Sequence, residues 1–364
     1  MELDPFIIVV FGPPPPTVNL AEDRTVGSYF AVGFLLSIAF VSVVLRIVAR
    51  ITARLGLMAD DYFIIAALVF SIGTAAATVA GNIFGIGTHV WTISKSDLIP
   101  ILKITYSYTI IYTVAILCIK LSLLCFYYRL FGMFGNFWRM SLFLGGFLTV
   151  GHTISAWISL AIMCRPISAI WDQYLGIVQA KCIDIKAAYI SYASINIPLD
   201  ILILVIPIPQ ILKLQMSMRK KLQICTLFSL GSFACIAGIA RLFYLVKYTQ
   251  EVDLAWTLSP VGIWSSVEPS IAILTACLPI IYPLFLRWGG KLRSVKSTEA
   301  TEGYPSRRQE YRENRRLRRD DDEIALASFA DGGPPERSDH TLPYGVVVQH
   351  SIKQSNSFQV GEAI

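Results

Sequence analysis

The sequence predicts an all-α membrane protein, a seven-transmembrane helix bundle with its N-terminus outside, its C-terminus cytoplasmic and a disordered tail. Three observations carry that expectation. Seven long apolar runs, separated by short polar loops, fill the chain from residue 27 to about residue 287. Charged residues make up only 15% of it and hydrophobic ones 54%, with a mean hydropathy of +0.58, whereas a soluble protein carries about 25% charge. Lysine and arginine are also spread unevenly over the loops.

A helix needs about 20 predominantly apolar residues to cross the hydrocarbon core of a bilayer. The runs at 27–48, 62–83, 104–127, 140–163, 189–212, 222–246 and 259–286 meet that length. A water-soluble helix would show a polar face at helical spacing, and these runs are apolar nearly all round. The opening MELDPFIIVV carries acids where a cleavable signal needs a positive start, and the prolines at 13–16 break its apolar stretch. Insertion is therefore expected to rely on the first span itself.

Orientation follows from the basic residues. With the N-terminus outside, the cytoplasmic side holds Arg46, Arg50, Arg54, Arg129, Arg139, Lys213, Arg219, Lys220, Lys221, Arg287, Lys291, Arg293 and Lys296. The other side holds Arg24, Lys95, Lys103, Arg165, Lys181, Lys186 and Lys247, seven against thirteen. Short cytoplasmic loops carry the excess of positive charge, so N-out, C-in is the expected topology. The net charge of +6 has the same origin and gives no argument for a nucleic-acid partner.

Three regions result: an exterior segment at 1–26, the membrane domain at 27–288 and a tail at 289–364. The tail contains YPSRRQEYRENRRLRRDDDE, a basic block followed by an acidic one. Dense charge with little apolar area to bury predicts no packed core. Its basic residues near the membrane would attract anionic lipid.

Of the seven cysteines, Cys118, Cys125, Cys225, Cys235 and Cys277 lie in apolar runs, where a free thiol behaves as a small apolar residue. Cys164 and Cys182 share the loop after the fourth run, on the side expected to be oxidising, and are expected to be bridged. No Cys/His spacing points to a metal. His89 and His152 are expected to make local hydrogen bonds.

Charges at bilayer depth are costly and mark candidates for function. Four stand out: Lys120, Asp200, Arg241 and Glu268. At a rise of about 1.5 Å per residue, Arg241 and Glu268 fall in the exterior third of neighbouring spans, where an ion pair is expected. Asp200 falls near the midplane, with Lys120 to its cytoplasmic side and within reach of a second pairing. Asn196, one turn from Asp200, shares its face. Two readings stand: the pairs fix helix register, or they line a polar cavity that binds a ligand or conducts an ion. Pro198, Pro207, Pro209, Pro269, Pro279 and Pro283 bend the fifth and seventh spans. Asp60 and Asp61 precede the second span, where one would cap its amides. With Arg46, Arg50 and Arg54 the pair would form a cytoplasmic charge cluster. Arg219, Lys220 and Lys221 make the third cytoplasmic loop a candidate signalling surface.

Several stretches resemble the fungal rhodopsin-domain family, the Pth11-like seven-helix membrane proteins, without the cysteine-rich CFEM module. They are PPPPTVN, RIVARI…ADDYF, GIGTH, KLSLLCFYYRLF, CRPISAIWD…C, INIPLDILILVIPIPQILKLQMSMRKK, IAGIARL and WSSVEPSIAILTACLPIIYP, in order over residues 13–286. The resemblance implies a receptor-like protein of the plasma membrane or an internal membrane and supplies no ligand. No retinal is expected, because the 259–286 run contains no lysine to carry a Schiff base. Tyr127-Tyr128-Arg129 lacks the acid that precedes the arginine in animal receptors, so coupling to a heterotrimeric G protein rests on fold analogy.

The leading function is then a receptor-like transducer of a small-molecule signal through cytoplasmic loops and tail. A small-solute or proton-coupled transporter built on Lys120, Asp200, Arg241 and Glu268 is the first alternative. A membrane-embedded enzyme such as a terpene cyclase is the second, with Asp200 or Glu268 as proton donor.

Overall fold

The computed structural model describes residues 4–16, 18–131, 136–172, 181–209 and 218–295. Seven helices in it are long and apolar enough to cross a membrane. They are α2 (Thr25–Thr52), α3 (Ala59–Ile83), α4 (Lys95–Phe131), α5 (Asn136–Ala161), α7 (Ile185–Val205), α8 (Met218–Gln250) and α9 (Leu254–Val295). Two short helices, α1 (Pro5–Phe11) and α6 (Ala169–Asp172), and a two-residue ribbon of β1 (Cys164–Arg165) with β2 (Lys181–Cys182) sit at the end of the bundle where α2 begins. We refer to that end as the N-terminal face.

The helices outrun the apolar runs because polar residues at their ends still form backbone hydrogen bonds once they leave the hydrocarbon. Helix α4 starts nine residues before the expected span and so takes in Pro100. Helix α9 starts five residues early and continues to Val295, into the stretch assigned to the tail. The remaining tail, 296–364, lies outside the described residues.

Large side chains such as Phe30, Phe34, Phe143, Phe147 and Phe243 face outward, each more than half exposed. In water that belt would be a liability; in a bilayer it is the solvated surface, and only the inward face needs protein partners. Helix α3 packs along α4, α9 lies against both α2 and α8, and α7 fits between α5 and α8. Half or more of the central window of α4 and of α9 is buried, making these two the inner helices. Ile64, Ile119 and Ile273 meet at the centre of α3, α4 and α9. Trp138, Leu142, Tyr127 and Ile203 close the gap between α4, α5 and α7.

The N-terminal face is tied together tightly. Cys164 and Cys182 form the expected disulfide, paired across the β1–β2 ribbon. Asp4 caps α1 through Phe6 N–H at 2.9 Å and also accepts from Lys95 N–H at 2.9 Å, joining the chain start to α4. The Gly85-Ile86-Gly87 turn needs its glycines: both have positive φ, +112° and +102°, which side chains with a Cβ rarely adopt. Gly87 also runs against the backbone of Arg24 and bonds Ala255, so the turn seats α2 and α9 together.

Candidate functional site

Asn196 and Asp200 stand one turn apart on α7, on either side of Pro198. Around them converge Tyr112 and Lys120 from α4, Arg241 from α8 and Glu268 from α9. Arg241 Nε donates to Glu268 Oε2 at 2.8 Å, and the Tyr112 hydroxyl donates to the same oxygen at 2.7 Å. Asn196 Nδ2 donates to the other oxygen, Glu268 Oε1, at 2.8 Å and to Asp200 Oδ2 at 3.0 Å. Lys120 Nζ donates to Asn196 Oδ1 at 2.8 Å and pairs with Asp200 Oδ1 at 3.0 Å.

One amide therefore joins two ion pairs into a single network whose formal charges cancel. Lys120, Asn196, Arg241 and Glu268 are each at most 5% exposed. A lone charge there would carry a large desolvation cost; paired and hydrogen-bonded, it is tolerated. The Tyr112 ring adds a face for Arg241, whose guanidinium carbon lies 5.0 Å from the ring centre. A cavity of about 60 Å³ opens beside Lys120, Asp200, Glu268 and Cys235, enough for a few water molecules.

The residues expected at bilayer depth thus meet, but not at separate levels. Glu268 falls near the middle of the 254–282 span rather than in its outer third, because α9 begins before the apolar run does. Tyr112 escaped sequence reading altogether. A tyrosine in an apolar helix looks like core, and only the approach of α9 makes its hydroxyl a ligand of Glu268.

A second network lies at the opposite face. Arg46 and Arg50, one turn apart on α2, both meet Asp60 and Asp61 in the first turn of α3. All four are at most 2% exposed. Asp61 also accepts from Met58 N–H at 3.1 Å, so it serves as helix cap and ion-pair partner at once. Arg46 reaches on to the Ala276 carbonyl of α9 at 2.7 Å, and Arg129 at the end of α4 meets Asp60 Oδ1 at 3.0 Å. The acid missing beside Arg129 in the sequence is thus supplied by another helix.

Arg54, expected in this cluster, is not a partner of either carboxylate among the described contacts. It ends α2 instead. Its φ is +55°, Arg54 N–H bonds the Ile51 carbonyl and Leu55 N–H bonds the Arg50 carbonyl. This is the Schellman pattern, which ends the helix and leaves Arg54 exposed with Leu55 partly buried.

His152 makes its contact across helices rather than locally: Nε2 lies 3.2 Å from the carbonyl of Tyr192 on α7, 40 residues away, and its ring stacks on Tyr192. Arg219, Lys220 and Lys221 lie in the first turn of α8, and their side chains are outside the described residues. No group of three or more metal-binding side chains occurs among the described residues.

Residues 45–287 match the model of the fungal rhodopsin domain. The chain belongs to that family. It is 30% identical over 217 residues to Fugralins biosynthesis cluster protein 2 of Gibberella zeae, covering 58% of this chain and 53% of the relative. It is 30% identical over 237 residues to a SAT4 family membrane protein of Emericella nidulans, covering 65% and 59%. To Receptor GIN3 of Arthrobotrys oligospora it is 26% identical over 209 residues, covering 56% and 50%. The chain therefore spans between half and three fifths of the length of these relatives. No solved structure matches it. Both charge networks of this fungal rhodopsin domain fall inside the matched stretch.

Proposed function

We propose that this fungal rhodopsin-domain protein is a receptor-like membrane protein that senses a small molecule at its N-terminal face. The signal passes to a heterotrimeric G protein or another cytoplasmic effector. The observation that carries this reading is the pair of buried ionic networks. One locks α4, α7, α8 and α9 together; the other locks α2, α3 and α4 and holds α9 through Ala276. Such networks are discrete: shifting one helix by a turn breaks a pair outright rather than stretching it, which gives two arrangements for a ligand to choose between. Pro198 beside Asn196 and Pro269 beside Glu268 put bend points at the lock itself. The relative named as a receptor in Arthrobotrys oligospora supports the same role.

The N-terminal face is read as exterior, with the plasma membrane as the site of action. The thirteen-to-seven basic asymmetry and the disulfide on that face, which persists in oxidising compartments, support this. The reading includes no retinal. Lys120 is committed to Asp200 and Asn196, and the adjoining cavity of about 60 Å³ is far too small for a polyene. It includes no catalytic step either. Arg219, Lys220, Lys221 and the 289–364 tail form the proposed signalling surface.

A carrier remains the second reading, favoured by one observation: the Lys120–Asp200 pair borders the internal cavity. Deleting 289–364 and changing Asp200→Asn in the native host separates the two. The receptor reading expects the tail deletion to insert normally and abolish the cellular response. A normal response in the deletion strain, with solute uptake lost in Asp200→Asn, would instead establish the carrier.

A further inference from the structure

A cavity larger than the one beside the charged core lies elsewhere. A cleft of about 440 Å³ opens on the N-terminal face, between the chain start and the ends of α8 and α9. That volume is in the range of small-molecule sites. It lies above a tier of three stacked groups. The Arg24 guanidinium carbon sits 3.7 Å from the centre of the Trp256 ring, and the His89 ring stacks on the same indole at 4.3 Å. Both cannot fit on one face of the indole, so Trp256 is held between them.

Each member of the tier is fixed by something else. Asp253 Oδ2 lies 2.6 Å from His89 Nδ1, while its Oδ1 accepts from Val90 N–H at 2.9 Å and Trp256 N–H at 3.3 Å. His89 lines the cleft, but its other ring nitrogen, Nε2, is buried away from it and has no partner among the described residues. Arg24 and Lys247 also line the cleft, and neither has a carboxylate partner among the described residues. A guanidinium over an indole still has N–H donors of the kind that grip a carboxylate. Phe11 and Pro15 on the chain start and Tyr244 on α8 add apolar lining. Of the two acids in the lining, Asp253 is engaged by His89 and Val90 N–H, and Glu251 is the other.

We infer that this cleft binds a small organic acid with a flat apolar body. The carboxylate meets Arg24 and Lys247, and the body lies against Phe11, Pro15 and Tyr244. The inference deepens the receptor reading by naming the ligand class, and rests on that reading only for what binding does next.

The test uses the full-length protein in nanodiscs and three probes with one shared body: 1-naphthoate, 1-naphthalenemethanol and 1-naphthylmethylamine. Binding is read by calorimetry. The site predicts saturable binding of 1-naphthoate that the alcohol matches at least about ten-fold more weakly, since charge-assisted bonds are the stronger ones. Arg24→Gln should weaken 1-naphthoate by about ten-fold or more and leave the alcohol unchanged. Lys247→Gln should do so to a smaller extent, and an intact Cys164–Cys182 bridge checks the fold of each variant. Preference for the amine, equal binding of alcohol and acid, indifference to Arg24→Gln, or no saturable binding of any probe would each overturn the assignment. Arg24-dependent binding with no cellular response would instead leave the site standing and sink the receptor reading.

Discussion

A single amide decides how the charged core behaves. Lys120 and Glu268 do not touch; each bonds to Asn196, which offers its oxygen to one and its nitrogen to the other. Removing one member of a buried pair strands its partner and typically costs about 3–5 kcal/mol. Arg241→Ala and Glu268→Ala should each lower thermal stability in detergent, with the double change losing far less than their sum. The finer prediction concerns the amide. Lys120→Ala and Glu268→Ala should couple by about 0.5–3 kcal/mol in the native background, and become additive once Asn196→Ala has cut the link. Coupling that survives Asn196→Ala would mean that the two charges communicate by another route.

At the scale of elements, two helix ends make opposite predictions. Arg54 occupies the left-handed position of a Schellman turn, at φ +55°, where glycine has no steric penalty. Arg54→Gly should raise thermal stability or leave it unchanged, by up to about 1 kcal/mol. Arg50→Ala, four residues earlier and inside the charge cluster, should lower it. An Arg54→Gly variant as damaged as Arg50→Ala would place Arg54 back in the cluster. The start of α1 responds to pH instead. The backbone N–H of Lys95, then that of Phe6, holds the Asp4 carboxyl below the usual carboxylate range. A lowered folded-state pKa means that its contribution is complete above the ordinary carboxylate pKa of about 3.9 and is lost as pH falls through the lowered value. Acidification below about pH 4 should loosen α1 from Trp91, whose indole N–H bonds the Gly12 carbonyl at 2.8 Å. The readout is the fluorescence difference between native protein and Trp91→Phe. Asp4→Asn should show the loosened signal already at neutral pH.

For the molecule as a whole, the prediction is topological. Cysteines placed singly in the 289–364 tail should be protected from an impermeant thiol reagent in intact cells, and one placed at Gly12 should react. Labelling of the tail without permeabilisation would reverse the orientation, and with it the assignment of the 440 Å³ cleft to the exterior. The two networks and the cleft form a vertical series in this frame. The cleft shares α8 and α9 with the core, through Tyr244 and Arg241 on one helix and Trp256 and Glu268 on the other. The core shares α4 and α9 with the Arg46 cluster. Occupation of the first has a continuous path of packed helices to the last.

The sequence by itself determined the architecture, because a bilayer imposes it. Every backbone polar group must be satisfied within its own segment, so the length and apolarity of each run, read locally, were enough to give the seven helices. The same logic marked Lys120, Asp200, Arg241 and Glu268, since charge at that depth needs a partner wherever the partner comes from. Only the tertiary structure decided which groups those partners were. Asn196 became the bridge, Tyr112 a ligand of Glu268, and Arg129 rather than Arg54 the third cation on Asp60. His89 read as a local residue and proved to bond Asp253, 164 positions away. Such pairings depend on the rotation and axial offset of one helix against another. Those are set by side-chain packing between distant segments, which no periodicity within a single run can express.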